Sequence, residues 1–363
     1  MSSVAKKHLT TKLILANIGI PLAASFFFIL LHYSNGWLLL AGGVITLILA
    51  VLSAVHHAEV IAERVGEPFG ALVLALAITV IEASIIISLM LSGDESVSAL
   101  ARDTVFAAVM IILTAMTGLT LLIGGIKYRE QNFSTHGIIS TLTVLVAISV
   151  LTLILPNFTQ SVAGPFYSDT QLIFVAVTTL LLYGSFLFVQ NFKHRNDFIA
   201  ANETSEEKER PGKKATLFSS ILLPVNLIAV VLLAETMAPS LEEFIQSIGA
   251  PVSLSGIIIA CVILLPEGIS AAKAASKNHI QKSLNLSLGS ALASISLTIP
   301  VVAIYAIYTG LPLALGINNQ STIIFLLSLF VVILSLSKGR TNILQGIVLL
   351  LLFVVYLFIT IFP

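Results

Sequence analysis

The chain has 363 residues, of which 57% are hydrophobic and only 10% charged, with a mean hydropathy of +1.04. A water-soluble domain carries about 25% charged residues, so this composition excludes a wetted globular surface and implies a protein embedded in a membrane. Lys+Arg and Asp+Glu both number 18, so net charge points to no nucleic acid and no strongly charged partner, and the single cysteine, Cys261, excludes internal disulfides and Cys-rich metal sites.

A membrane helix needs roughly 20 apolar residues to cross about 30 Å of hydrocarbon. In chain order such runs are Leu13 to Leu31, Trp37 to Val55, Pro68 to Leu91, Val105 to Ile126, Gly137 to Leu155 and Gln171 to Val189. After a polar interruption come Leu217 to Met237, Pro251 to Ala272, Leu284 to Tyr308, Ser321 to Leu336 and Asn342 to Phe362. The first run is too long for the apolar core of a typical signal peptide, and no A-x-A-like site follows it, so it reads as a span. The fold class is therefore an all-α membrane protein of about eleven transmembrane helices.

Basic residues collect on the cytoplasmic side of membrane proteins. With a cytoplasmic N-terminus, this span count puts 17 of the 18 basic residues on that side, and only Arg102, next to Asp103, falls on the other. A wrong count would scatter them over both faces. The polar stretch at 191–216 mixes both signs and reads as a solvated cytoplasmic linker. It separates six spans from five, which divides the chain into a tail and first helix (1–35), a first five-helix repeat (36–190), the linker (191–216) and a second five-helix repeat (217–363).

Five is odd, so the second group runs in the opposite sense to the first, as in transporters whose site lies at the interface of inverted repeats. The repeat is visible in the residues. Gly66-Glu67-Pro68 opens a helix bearing Glu82, and Gly249-Ala250-Pro251 opens one bearing Glu267; Glu59 and Glu242 each lie seven residues before those glycines. Both Glu82 and Glu267 fall well inside their spans. A carboxylate at that depth costs at least a few kcal/mol, about 2.5–3.5 on insertion scales, and marks a functional site by default. The helices that follow also carry polar groups: Arg102-Asp103-Thr104 in the first half, and Asn285, Ser287, Gly289, Ser290, Ser294 and Ser296 in the second. Asn285, Gly289 and Ser296 share one helical face with Ser290 beside it; such residues serve close helix packing or offer oxygens to a hard cation.

The stretch Leu264-Leu-Pro-Glu267-Gly-Ile-Ser-Ala-Ala-Lys273, continued by Leu284 through Gly289-Ser290 to Pro300, resembles the second α-repeat of the calcium/cation antiporter superfamily. Gly66 through Glu82-Ala-Ser84 and Arg102-Asp103-Thr104 resembles the first. The likeness is to the cation/proton exchanger branch and, within it, to bacterial calcium/sodium:proton antiporters, and it covers nearly the whole chain. It implies that Glu82 and Glu267 bind the cation and exchange it for protons, and that Asn285, Ser290 and Asp103 complete the cation site. It implies no resident cofactor; the partners are inorganic cations, protons and the lipid bilayer of a bacterial inner membrane. One departure is plain. Many exchangers of this branch carry Gly-Asn three residues before each glutamate, where this chain has Ile78-Thr79 and Ile263-Leu264. Ca²⁺ takes 6–8 oxygens, so the sparser set suits a monovalent ion better. The expected activity is export of Ca²⁺, or of Na⁺ or K⁺, in exchange for H⁺; the alternatives are a sodium/calcium exchanger of the same superfamily and a passive cation channel. His56-His57-Ala-Glu59 lacks the spacing of a zinc enzyme, which argues against catalysis.

Overall fold

A computed structural model describes residues 19–31, 37–66, 69–91, 99–198, 211–247, 249, 251 and 253–362. The start of the first expected span, Pro68 and residues 199–210 of the polar linker lie outside the described residues. The helices are α1 (Gly19–Leu31), α2 (Trp37–Val65), α3 (Phe69–Leu91), α4 (Leu100–Met110), α5 (Thr117–Tyr128), α6 (Thr135–Ser149) and α7 (Asp169–Phe188). Then come α8 (Lys213–Ser247), α9 (Ser253–Ser276), α10 (Ile280–Thr309), α11 (Asn319–Leu336) and α12 (Ile343–Ile361). A π-helical turn, Ile111–Met116, joins α4 to α5 into one span, so the described helices form eleven spans, nine of them at full membrane-crossing length. The eleven expected runs are all present, and their ends shift. α2 continues ten residues past Val55, and α8 starts at Lys213 rather than Leu217. A polar terminal turn is invisible to a hydropathy reading because it lies beyond the hydrocarbon, where charged residues are helix formers like any other.

The chain forms two compact units that cut across the repeats: residues 1–88 with 209–248, and 89–208 with 249–363. In the first, α2 packs along α8. Ala24, Leu31, Ala229, Leu233 and Met237 form its apolar cluster, and Gly43 lets α2 close onto Leu31 and Met237, 3.0 Å from a Cβ placed there. Buried His57 of α2 is hydrogen-bonded through Nδ1 to Ser219 Oγ of α8 at 3.1 Å.

In the second unit the principal helix pairs are α5 with α12, α4 with α9, α7 with α10, and α9 with α10. Glycines bring two backbones into contact: a Cβ on Gly346 would fall 2.6 Å from Leu122 N and 2.8 Å from Gly118 O. The loop after α5 pairs antiparallel with the loop after α11 through β1 (Gln131–Asn132) and β2 (Arg340–Thr341). The loop after α10 pairs with the loop after the α6 span through Phe166 and Ala314. In the five-helix repeats, α5 corresponds to α10 and the α6 span to α11, so each bridge is the other's repeat equivalent. The packed pairs α5–α12 and α10–α7 are equivalents in the same way. The fold is thus two inverted-topology five-helix repeats preceded by one helix.

Each bridge is backed by side chains. At the β1–β2 end Lys127 Nζ and Tyr128 Oη donate to Ser276 O at 2.6 and 2.9 Å, and Gln131 Nε2 donates to Asn278 Oδ1 at 2.8 Å. At the other end Asn157 Nδ2 donates to Ile317 O at 2.6 Å, and Arg102 donates to Gly316 O at 2.9 Å. There Tyr167 Oη donates to Leu151 O at 2.6 Å, and burial pushes its phenol up to about 12.

Candidate cation site

Glu267 lies in α9 directly after Pro266 and is 3% exposed. A proline inside a helix removes one backbone donor, so the carbonyl four residues back, Val262 O, is left without its helical partner beside the carboxylate. Two helix pairings fix what stands level with Glu267. Ser283 Oγ donates to Ala271 O at 2.8 Å, which sets the antiparallel register of α9 on α10 and places Ser287 opposite Glu267. A Cβ on Gly256 would meet Thr104 N at 3.2 Å, and one on Gly268 would meet Met116 at 3.8 Å. α4 and α9 are therefore parallel, and the π turn Ile111–Met116 sits at the level of Glu267. π turns are rare, carry unusual backbone hydrogen bonding, and are frequent at functional sites. Thr114 Oγ1 turns back to Met110 O at 2.5 Å there, and Thr117 Oγ1 to Ile112 O at 2.8 Å.

At 100° per residue, the α10 face that carries Ser283 toward α9 also carries Ser287, Ser290 and Ser294. Ser287 is fully buried, and Ser290 is half-buried about 4–5 Å past the level of Glu267. Asn285 points about 200° away from Ser283. Its Nδ2 donates to Phe198 O at 2.5 Å, and its Oδ1 accepts from Gln281 Nε2 at 3.1 Å. The face chosen from sequence, with Asn285, Gly289 and Ser296, is the one turned away from Glu267. Of the expected α10 residues, Ser290 falls by helical register on the face that carries Ser283 toward α9, and Asn285 falls on the opposite face.

Asp103 is level with Ser255 and Gly256, about 17 Å along the axis from Glu267. Arg102 Nε holds it at 2.8 Å, and the pair lines a cavity of about 260 Å³ with Ser253, Asn318, Tyr356 and Thr360. This places Asp103 in a pocket at the Phe166–Ala314 end of the second unit, away from Glu267. The reason is the parallel packing of α4 on α9: a residue in the first turn of α4 must stand level with the first turn of α9, and Glu267 is about three turns further on.

Glu82 belongs to the first unit. It lies in α3 at 3% exposure among buried Ile78, Ile81, Ala83, Ile85 and Ile86. At the position of the missing amide, Thr79 Oγ1 donates to Ala75 O of its own helix at 2.9 Å; in the second half, Leu264 is apolar and buried. Sequence reading did not select Ser287 as a ligand or Thr114 as a neighbour. The signal for Ser287 was the spacing Ser283, Ser287, Ser290, Ser294, a second coherent face on the same helix.

Residues 35–192 and 218–362 match the family model described as sodium/calcium exchanger protein, leaving out the linker. Among curated relatives, a candidate ionic transporter of Sinorhizobium fredii, y4hA, is 45% identical over 90% of this chain and 89% of its own length. The sodium-potassium/proton antiporter ChaA of Escherichia coli is 36% identical over 85% of this chain and 84% of its own. Among solved structures, YfkE superposes with a TM-score of 0.75 at 19% identity, covering 97% of this chain and 99% of that one. The H⁺/Ca²⁺ exchanger CAX gives 0.72 at 17% identity, covering 98% and 88%.

Proposed function

Because the chain belongs to the sodium/calcium exchanger protein family, a family of transporters, we propose that it is a secondary cation/proton antiporter in which Glu82 and Glu267 alternately carry the cation and protons. The observation that carries this reading is the matched pair of glutamates, one per inverted repeat, each 3% exposed within a long apolar helix. Two buried carboxylates cannot both ionise cheaply in a low dielectric. Two protons or one divalent cation neutralise such a pair; a monovalent cation does so together with one proton. Loaded forms can reorient past the hydrocarbon barrier and the bare dianion cannot, which prevents leak. Any net charge moved per cycle adds about 2.3 kcal/mol per 100 mV of membrane potential.

Sequence reading puts Ca²⁺ first among the cargo ions. Two observations move the order toward Na⁺ and K⁺. The positions for two amide ligands hold a threonine bonded to its own helix and a leucine. The relative at 36% identity is a sodium-potassium/proton antiporter, whereas the calcium/proton antiporter of Bacillus subtilis is 25% identical. The protein works in a bacterial inner membrane with its N-terminus cytoplasmic.

The test is dissipation of ΔpH in everted vesicles on adding Na⁺, K⁺ or Ca²⁺ across a pH range. Glu82→Gln and Glu267→Gln are each expected to abolish the cation-dependent proton movement while the protein still inserts. Normal exchange by both variants would overturn the assignment. The second reading, sodium/calcium exchange, is favoured by the description of the family itself, and Ca²⁺ flux driven by a Na⁺ gradient at zero ΔpH would select it.

A further inference from the structure

We propose that α2 and α8 enclose a buried proton site at His57, whose ligand is water and the proton that water carries; the inference rests on the antiport reading above. Three polar atoms on these two helices have no hydrogen-bond partner among the described residues: Ser53 Oγ, His57 Nε2 and Asn226 Oδ1. Ser53, His57 and Asn226 are 4%, 1% and 0% exposed. Serine hydroxyls buried in a helix ordinarily bond back to a carbonyl three or four residues earlier, as those of Ser25 and Ser328 do here. Polar groups that hold membrane helices together bond across the interface, as His57 Nδ1 does with Ser219 Oγ at 3.1 Å. The three orphan atoms do neither.

They form one row. The His57–Ser219 bond shows which faces of α2 and α8 meet, and the approach of Gly43 to Met237 shows that the helices run antiparallel. Ser53 precedes His57 by four residues, so it lies about 40° away around α2 and about 6 Å further along. Asn226 follows Ser219 by seven residues, so it lies within about 20° of it around α8 and about 10 Å further along. Both steps lead away from the ends at Val65 and Lys213, the cytoplasmic ends by the charge rule. Ser53 is about 18 Å from the end of α2, and Glu82 is about 20 Å from the start of α3, so the row reaches the depth of the glutamate. On α2 the titratable neighbour of His57 is His56, with ring centroids 5.6 Å apart, while Glu59 and Glu63 are exposed. α8 meets His57 with Ser219 and Phe218, and carries Lys213, Lys214 and Glu235 exposed. The described part of α1 has no charged residue, and that of α3 has Glu82 alone.

Water suits this row because it both donates and accepts, whereas Asn226 Oδ1 takes only a donor. A buried water ordinarily makes about three bonds to such groups. A metal ion suits it less, since none of the three side chains is a carboxylate that would neutralise it. The imidazole then has an outlet on each nitrogen. A proton reaching the row as hydronium adds to Nε2 and leaves water behind. The imidazolium gives its Nδ1 proton to Ser219 Oγ as that hydroxyl passes its own toward the cytoplasm. The ring is left neutral in its other tautomer, and a flip of the ring restores the first. Histidines buried within membrane spans serve such relays. The row thereby gives the protons of exchange a path along α2 and α8 between the depth of Glu82 and the cytoplasmic face.

The experiment measures exchange in everted vesicles, in H₂O and in D₂O, with the cation that the unaltered protein transports, for His57→Gln, Asn226→Leu, Ser149→Ala and Glu82→Gln. Glutamine can still bond to Ser219 and cannot carry a proton. The expected result for His57→Gln is a maximal rate lowered about tenfold, with the half-saturating cation concentration within about twofold. D₂O should slow this variant about twofold more than it slows the unaltered protein, because proton movement has become the slow step. Asn226→Leu keeps the volume and removes the row's inner acceptor, so it is read by the same criteria if His57→Gln inserts poorly. Ser149, on α6 in the other unit, is equally buried with an orphan hydroxyl, and Ser149→Ala should be unchanged. A fall below about threefold overturns the relay, as does an equal fall in Ser149→Ala. A larger fall without the added isotope effect also overturns it, since damaged packing would produce that. Glu82→Gln separates the two levels. If it abolishes exchange while His57→Gln exchanges normally, only this inference fails; if the unaltered protein moves no protons, the reading beneath it fails as well.

Discussion

Glu267 and Asp103 are both carboxylates in the second unit, and their surroundings give them different work. Glu267 is 3% exposed inside α9, whereas Asp103 sits beside Arg102 at 2.8 Å against a cavity of about 260 Å³. Asp103 stands about 17 Å along the axis from Glu267, paired with Arg102. Asp103→Asn is therefore expected to keep the maximal rate of exchange within about threefold, where Glu267→Gln loses it. Asn285 belongs with Asp103 in this respect. Its amide ties α10 to Phe198 O, so Asn285→Ala should lower stability by about 1 kcal/mol, the usual worth of a hydrogen bond, and leave cation affinity unchanged. A thermal melt of purified protein beside a transport assay checks both halves of that statement. A large loss of cation affinity in Asn285→Ala would return this residue to the ligand set proposed from sequence.

Among the elements, the two ends of the second unit are pinned by equivalent bridges, and the middle is where irregularity collects. The π turn Ile111–Met116 and the helix proline Pro266 fall at the same level of the bundle. Both interrupt regular backbone hydrogen bonding where Glu267 stands. The pairing of α5 with α12 works in the opposite sense, as plain close packing: Gly346 has backbone atoms of Leu122 and Gly118 where a Cβ would go. Small residues are what let membrane helices approach this closely. Gly346→Ala would have to push two backbones apart and should cost about 1–3 kcal/mol, as overpacking does. Gly289→Ala, with nothing within 4 Å of the added Cβ, should be silent in the same thermal assay.

For the molecule as a whole, the distribution of charge and the inverted repeat support each other. In the second unit Lys127, Arg129, Lys193, Lys273, Lys277, Lys282, Lys338 and Arg340 all lie toward the β1–β2 end, and Arg102 lies toward the end of the Phe166–Ala314 bridge. If basic residues mark the cytoplasm, the β1–β2 end faces inward. In a Cys261→Ser background, Ser161→Cys should be labelled in intact cells by a membrane-impermeant maleimide, and Ser337→Cys only after the membrane is opened; both positions are exposed. The reverse pattern would invert the topology. Span number, the repeat and the two buried glutamates were legible in the chain because each rests on a local property: a run of apolar residues long enough to cross, a recurring Gly-x-Pro before a helix, an ionisable residue where hydration is absent.

The face of α10 that meets Glu267 was not legible in that way. A helix buried on most sides inside a membrane bundle has no water-facing stripe to orient it, and its serines make two coherent faces, Asn285–Gly289–Ser296 and Ser283–Ser287–Ser290. The short turn between α9 and α10 and the bond from Ser283 to Ala271 choose between them. The same holds for Asp103, whose distance from Glu267 follows from α4 and α9 packing in parallel. Sequence alone determined that this is an inverted-repeat membrane bundle with a carboxylate buried in each half. Only the tertiary structure decided which face of α10 turns toward α9, because helix rotation is set by packing against neighbours and not by the helix's own residues.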